Sequence, residues 1–237
     1  MSAFKQLSFI ANDQVSQDED TKIINIKYFT KSHEGTQTFE ANDLKYSKQP
    51  VQQTESPSLW DQAIDKFKIQ SIYKNCSIDN CTLLPESFIS IGKRWIKSSR
   101  KCSLYLHGNT GSGKTYFSLA LFRAAVEFGV PWINFVRSFD LDEELLQSVE
   151  SKQEKRVLRK YIEVPILFID DLGVERPTER MIRQLYAIID GRIGENRLTV
   201  ITSNLPVDEL PLGDRVNSRL STYYSIEFPE QDLRKRF

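Results

Sequence analysis

One stretch of this chain restricts its fold more than any other: Gly108-Asn109-Thr110-Gly111-Ser112-Gly113-Lys114-Thr115. It satisfies G-x-x-x-x-G-K-[ST], the pattern of a phosphate-binding loop. The flanks suit it. Ser103–His107 is an apolar, aromatic run of strand type, and Tyr116–Val126 has helical spacing with few breakers. Gly129 then ends the helix and Pro131 prevents its continuation. Strand, glycine loop and helix are what phosphate binding needs. Glycines let the backbone approach, and successive N–H groups form a cradle at the positive end of a helix dipole. In that frame Lys114 reaches the β and γ phosphates of ATP, and Thr115 places its hydroxyl on Mg²⁺.

The 237 residues carry no formal net charge, which suits one domain plus an extension and argues against nonspecific coating of DNA. A local basic groove remains compatible with that balance. No apolar run approaches the roughly 18 residues of a membrane span, and Met1–Ile10 lacks the form of a secretory signal, so a cytoplasmic protein is expected. Cys76, Cys81 and Cys102 are too sparse for a zinc site and read as reduced thiols.

The first 57 residues are polar and rich in Gln, Asp, Ser and Lys. Lys22–Phe29 reads as a strand, turned at His33-Glu34-Gly35 into a partner at Thr36–Phe39. Lys45–Ser58, with Pro50 and Pro57, reads as a linker. This extension is expected either to be disordered or to fold on a partner. Residues 58–237 form the second expected domain. Leu59–Phe67 and Phe88–Ile96 have helical spacing, and Lys93, Arg94, Lys97, Arg100 and Lys101 give the second a solvated basic face. Beyond the glycine loop, strands are expected at Pro131–Val136, Ile166–Ile169, Leu198–Thr202 and Tyr223–Phe228. Helices are expected at Asp140–Tyr161, Thr178–Ile193 and Leu212–Leu220. Apolar strands alternating with amphipathic helices mean an α/β domain around a parallel sheet, with ligands at the carboxyl ends of the strands.

Three polar sites follow strand ends: the glycine loop, Asp170-Asp171 and Ser203-Asn204. A buried strand that ends in Asp170 delivers a carboxylate to Mg²⁺, which prefers hard oxygen ligands. Asp171 faces the other way and is placed to polarise water. Asn204 can meet a γ-phosphate or orient water without charge repulsion. Arg215 and Arg219 lie four apart on one helix face, a spacing that suits a solvated pair or an arginine offered to a neighbouring subunit's nucleotide.

Gly108–Thr115, Ile166–Gly173, Thr202-Ser203-Asn204 and Gly213–Leu220, with Tyr73–Asn80 upstream, together resemble the AAA+ ATPases of the DnaC/DnaI/IstB group. That group contains bacterial replicative helicase loaders and transposase helpers. The resemblance covers roughly residues 69–237. It implies a five-stranded parallel sheet in the order 5-1-4-3-2, without a C-terminal helical lid. It also implies that Lys114 and Thr115 are Walker A, Asp170 and Asp171 Walker B, and Asn204 sensor 1. Arg219 would be a trans-acting finger and Arg215 its companion. Loaders of the group carry a helical or zinc-binding N-terminal domain, and residues 1–60 show neither pattern.

Four functions compete at this point. The first is an ATP-driven loader that acts on a replicative DNA helicase and touches single-stranded DNA. The second is a transposase helper on duplex DNA. The third is a small-molecule kinase, which has no need of Asn204 or the Arg215/Arg219 helix. The fourth is a nucleotide-binding adaptor with little hydrolysis, kept open because Asp171 has a shorter reach than glutamate.

Overall fold

The structure is a computed structural model that describes residues 28–32, 35–39, 57–97, 102–173 and 177–236. The chain divides into two compact units, at Thr54 and Glu55. In the first unit, β1 (Tyr28–Ser32) and β2 (Gly35–Phe39) form an antiparallel hairpin in which Tyr28 faces Phe39 and Ser32 faces Gly35. The first strand starts later than the expected Lys22. Residues 22–27 and the linker before Pro57 lie outside the described residues.

The second unit opens with α1 (Leu59–Phe67), which starts at a capping box. The Ser58 hydroxyl accepts from the Asp61 N–H, and the Asp61 carboxylate accepts from the Ser58 backbone. A helix α2 (Glu86–Lys97) follows, and its Lys93 and Arg94 are exposed as expected. Arg100 and Lys101 lie outside the described residues. Next come β3 (Leu104–His107), α3 (Lys114–Glu127) and β4 (Asn134–Arg137). Where one helix is expected over Asp140–Tyr161 there are two, α4 (Ser138–Glu150) and α5 (Glu154–Glu163). The break has a local cause. The Ser148 and Ser151 hydroxyls donate to carbonyls of the preceding turn, and Lys152 takes a left-handed conformation at φ 57°. The Gln153 N–H then closes on the Ser148 carbonyl at 2.7 Å, as at a helix C-terminus.

The chain continues through β5 (Ile166–Leu172), α6 (Glu179–Gly194), β6 (Leu198–Ser203), α7 (Asp214–Leu220) and β7 (Tyr224–Glu227). The five strands from β3 onward form one parallel sheet in the order β7-β3-β6-β5-β4. Counted from β3 as first, that is 5-1-4-3-2, the expected order.

Strand alternation builds two cores. Leu104, Leu106, Phe168 and Val200 face the α1–α2–α3 layer. Tyr105, Leu167, Ile169 and Ile201 face the layer that contains α4 to α7. Phe122 anchors the first core, with its ring 5.2 Å from Phe168 and 5.3 Å from Phe67. The buried thiols Cys76 and Cys81 belong to this core. Burial pushes both up to about 12, so they behave as apolar filler. Among the described residues no group of His, Cys, Asp and Glu is arranged to hold a metal by itself. Among them, too, no helix is long and apolar enough to cross a membrane.

Candidate nucleotide-binding site

The site lies where β3, β5 and β6 end side by side. Gly113, at φ 96°, turns the loop into α3, whose first residues are Lys114 and Thr115. A side chain at Gly113 would be strained at that φ and would press on Leu233 and Leu84. Within the loop the Ser112 N–H donates to the Asn109 carbonyl at 3.2 Å. The Ser112 hydroxyl is fully buried without a hydrogen-bond partner among the described residues. Lys114 is buried too, and its ammonium donates back to the Gly108 and Asn109 carbonyls at 2.7 and 2.8 Å. Burial pulls its pKa down, while Asp171 and Asp170 pull it up. A cation that rests on its own loop's carbonyls is well placed to turn onto phosphate oxygens.

Asp170 is the centre of the carboxylate side. It is 5% exposed, and the hydroxyls of Thr115 and Thr202 both donate to its Oδ1, at 3.1 and 2.7 Å. Burial, and next the charge of Asp171, push its carboxyl up to about 6, against the pull of those hydroxyls and of Lys114. A buried carboxylate under that strain gains from a cation. With the Thr115 oxygen beside it, the donor set suits a hard divalent ion. Thr202 was not among the expected site residues. It lies one strand away from Asp170, so only the sheet order reveals it. Its hydroxyl also accepts the Asp171 N–H at 2.8 Å, which fixes the backbone between the two carboxylates.

Asp171 is exposed, in the left-handed region at φ 59°, where the register between β5 and β6 shifts. The bulge turns successive carboxylates to different surroundings, one buried and one open. Asn204 stands half-buried just past β6. Next to it Ser203 Oγ donates to the Leu172 carbonyl and accepts from the Leu205 N–H, locking the two strand ends together.

The two arginines of α7 are not drawn into this cluster. Arg219 donates to Asp190 Oδ1 at 2.8 Å and to the Tyr186 hydroxyl at 3.0 Å, both on α6, with its guanidinium over the Tyr186 ring. Arg215 is exposed.

Comparisons with known proteins bear on the fold and the family. The crystal structure of the DnaC helicase loader superposes with a TM-score of 0.60 at 22% identity, covering 68% of this chain and 100% of that one. At that identity the likeness is one of fold. The ATP-binding protein of insertion sequence IS1162 from Pseudomonas fluorescens is 34% identical over 112 residues, 47% of each chain. The chromosomal replication initiator DnaA of Enterococcus faecalis is 25% identical over 135 residues, 56% of this chain. The chain spans 47% and 30% of the lengths of those two relatives. The model of the IstB-like ATP binding protein family matches residues 90–216. That match takes in more than half of the residues, and the chain belongs to the IstB-like family of ATP-binding proteins, within the AAA+ class.

Proposed function

We propose that the protein is a Mg²⁺-dependent ATPase that works as a nucleotide switch on a DNA-handling partner, in the manner of a replicative helicase loader on single-stranded DNA. The observation that carries the ATPase reading is the pairing of a buried carboxylate with an open one. Asp170, held by Thr115 and Thr202, and exposed Asp171 follow each other on one strand beside the glycine loop. Thr115 and Asp170 would hold Mg²⁺, which neutralises charge on the phosphates as the terminal phosphoryl is released. Lys114 binds the β and γ phosphates. Asp171 polarises the attacking water and takes up its proton, and Asn204 orients that water or the γ-phosphate.

The two carboxylates are expected to fail differently. Asp170→Ala removes an ion ligand and should weaken ATP binding in Mg²⁺ but not in EDTA. Asp171→Asn keeps the shape and tolerates the left-handed backbone. It should retain ATP affinity and lose turnover by about a hundredfold, the scale of a general base. Equal loss of binding in both variants would show that their roles have been divided wrongly.

Arg219 is the proposed trans-acting residue, with Arg215 beside it. Asp190 and Tyr186 hold its guanidinium half-exposed against α6, and a neighbouring copy would have to meet it there. The carboxylate partner of Arg219 within this chain is Asp190. In other phosphoryl-transfer enzymes a trans arginine contributes about 10³–10⁵ in rate. Arg219→Ala should bind ATP normally and lose cooperative turnover. Mixed with Lys114→Ala protein it should regain part of that turnover, since one supplies the finger and the other the site. A mixture that stays inactive while wild-type activity rises more than linearly with concentration would reject Arg219 as the finger.

A second reading, a transposase helper on duplex DNA, is favoured by the 34% identity to an insertion-sequence ATP-binding protein. Capture of partners from the source cell with ATP, and with Lys114→Ala protein as control, separates the two. A replicative helicase in the ATP-dependent fraction supports the loader, and a transposase the helper.

A further inference from the structure

At the end of β5 the ladder with β6 is broken by one extra residue. Ile169 pairs with Ile201 and Leu172 with Ser203, so Asp170 and Asp171 together stand opposite Thr202 alone. Such a bulge leaves the longer strand with a residue that has no ladder partner, and bends it there. Asp171 takes the bend, at φ 59°. A residue with a Cβ keeps that conformation only where its surroundings enforce it.

Thr202 enforces it with one oxygen. Its hydroxyl accepts the Asp171 N–H at 2.8 Å and donates to Asp170 Oδ1 at 2.7 Å. A hydroxyl has a single proton and two lone pairs. Because Asp170 takes the proton, the lone pairs are left for the Asp171 N–H, and each bond polarises the other. Thr202 is fully buried, so water does not compete for either contact. Its β-branch restricts χ1 and keeps the oxygen in place. The second hydroxyl on Asp170 is that of Thr115, which is itself assigned to the ion. Thr202 is then the donor that stays with Asp170. The strand ends have a separate tie, from the Ser203 hydroxyl to the Leu172 carbonyl at 2.7 Å.

We propose that Thr202 is the positioning residue that keeps the two carboxylates in different roles. Its hydroxyl aims Asp170 at the ion site and holds Asp171 in the left-handed turn from which it reaches water. This rests on the ATPase reading given above, and it adds a residue that touches neither nucleotide nor water.

The test uses the full chain as wild type, Thr202→Val, Thr202→Ser, Asp171→Asn and the double variant Thr202→Val/Asp171→Asn. Steady-state ATP hydrolysis, calorimetric ATP affinity in Mg²⁺ and in EDTA, and the thermal midpoint are recorded for each. The wild type and Asp171→Asn come first: no hydrolysis by the wild type, or equal hydrolysis by both, overturns the ATPase reading and the proposal with it. With that reading in place, Thr202→Val should lose about a hundredfold in kcat, the scale of a misplaced reacting group. Its ATP affinity should fall about fivefold in Mg²⁺, the scale of one hydrogen bond, and stay as wild type in EDTA. Thr202→Ser should stay within about fivefold of wild type in kcat, since it keeps the hydroxyl and loses only the branch. Added to Asp171→Asn, the valine should cost less than about tenfold more, because the water-polarising group is already gone. A kcat within about threefold of wild type in Thr202→Val overturns the proposal. So does a full hundredfold loss on top of Asp171→Asn, which would mean that Thr202 acts without Asp171. Equal loss in the serine and valine variants with lowered midpoints also overturns it, as the mark of packing alone. Should Thr202→Val not fold, Thr202→Cys keeps the size with only a weak donor, and a kcat within about threefold of wild type there overturns the proposal in the same way.

Discussion

Lys114→Ala is expected to abolish measurable ATP binding while leaving the fold intact. In the free protein the ammonium donates, among the described residues, to two carbonyls of its own loop, those of Gly108 and Asn109. Those carbonyls lie at the mouth of the site, where water can replace the lost donor. Alanine is also the best helix former for the first residue of α3. Little stability is therefore at stake. The bound state differs. A hydrogen bond to a charged group contributes about 1.5–3 kcal/mol, and Lys114 would make two such bonds to the phosphates. Their loss corresponds to about 10²–10⁴-fold in affinity at 1.36 kcal/mol per decade. Calorimetric titration with ATP and a circular-dichroism melt are the measurements. Affinity within threefold of wild type would remove Lys114 from the site, and a collapsed melt would mean that it is part of the scaffold.

The largest loss of stability is expected at Arg192. This arginine is fully buried near the end of α6. It donates to the carbonyls of Tyr161, Ile162, Val164 and Leu198 and to the Thr199 hydroxyl. Tyr161 and Ile162 belong to the last turn of α5, whose carbonyls have no partners within the helix. Arg192 thus caps α5 and ties its exit to the start of β6. Among the described residues no carboxylate pairs with it, and burial lowers its pKa to about 10. The negative end of a helix and a ring of carbonyls serve instead. Arg192→Ala removes the donor from five acceptors, of which the Tyr161 carbonyl and the Thr199 hydroxyl are fully buried and the other three part-buried. At about 1–3 kcal/mol for each buried one, a loss of about 2–6 kcal/mol is expected. Arg192→Lys keeps the charge but lacks the fork, so it should recover part of that loss. Urea midpoints read the effect, and in Arg192→Lys they do so even if the alanine variant does not fold. A change under about 1 kcal/mol in both would show that water replaces the guanidinium without penalty.

What could be read from the sequence follows how local each feature is. The glycine loop declares itself because strand, glycines and helix are contiguous. Asp170 and Asp171 show through because four apolar residues precede them on one strand. Arg192 was hidden inside an amphipathic helical pattern, and nothing near it in sequence announces the five acceptors it serves. Thr202 and the docking of Leu233, whose N–H donates to the Gly111 carbonyl, are tertiary facts of the same kind. They need the knowledge that β6 adjoins β5, and that the chain after β7 returns to the loop. The break between α4 and α5 was missed for a different reason. Apolar spacing runs across it, and only the serine hydroxyls and the left-handed Lys152 stop the helix. The order of the strands came from the resemblance to AAA+ proteins, since periodicity gives strands but not their neighbours.

The position of β3 has a consequence for the order in which this protein matures. The strand that carries the glycine loop pairs with β6 on one side and β7 on the other, with Leu104 opposite Val200 and Tyr224. Both partners are made about a hundred residues later than β3 itself, so the loop's supporting strand has no neighbour in the sheet while most of the domain is being synthesised. Pairings that close such long loops are slow and come late. On the ribosome, an emerging chain would therefore be unable to hold nucleotide until β7 had left the exit tunnel. The capacity to take up ATP would then mark a finished domain, and half-made copies would be kept out of any assembly that nucleotide controls.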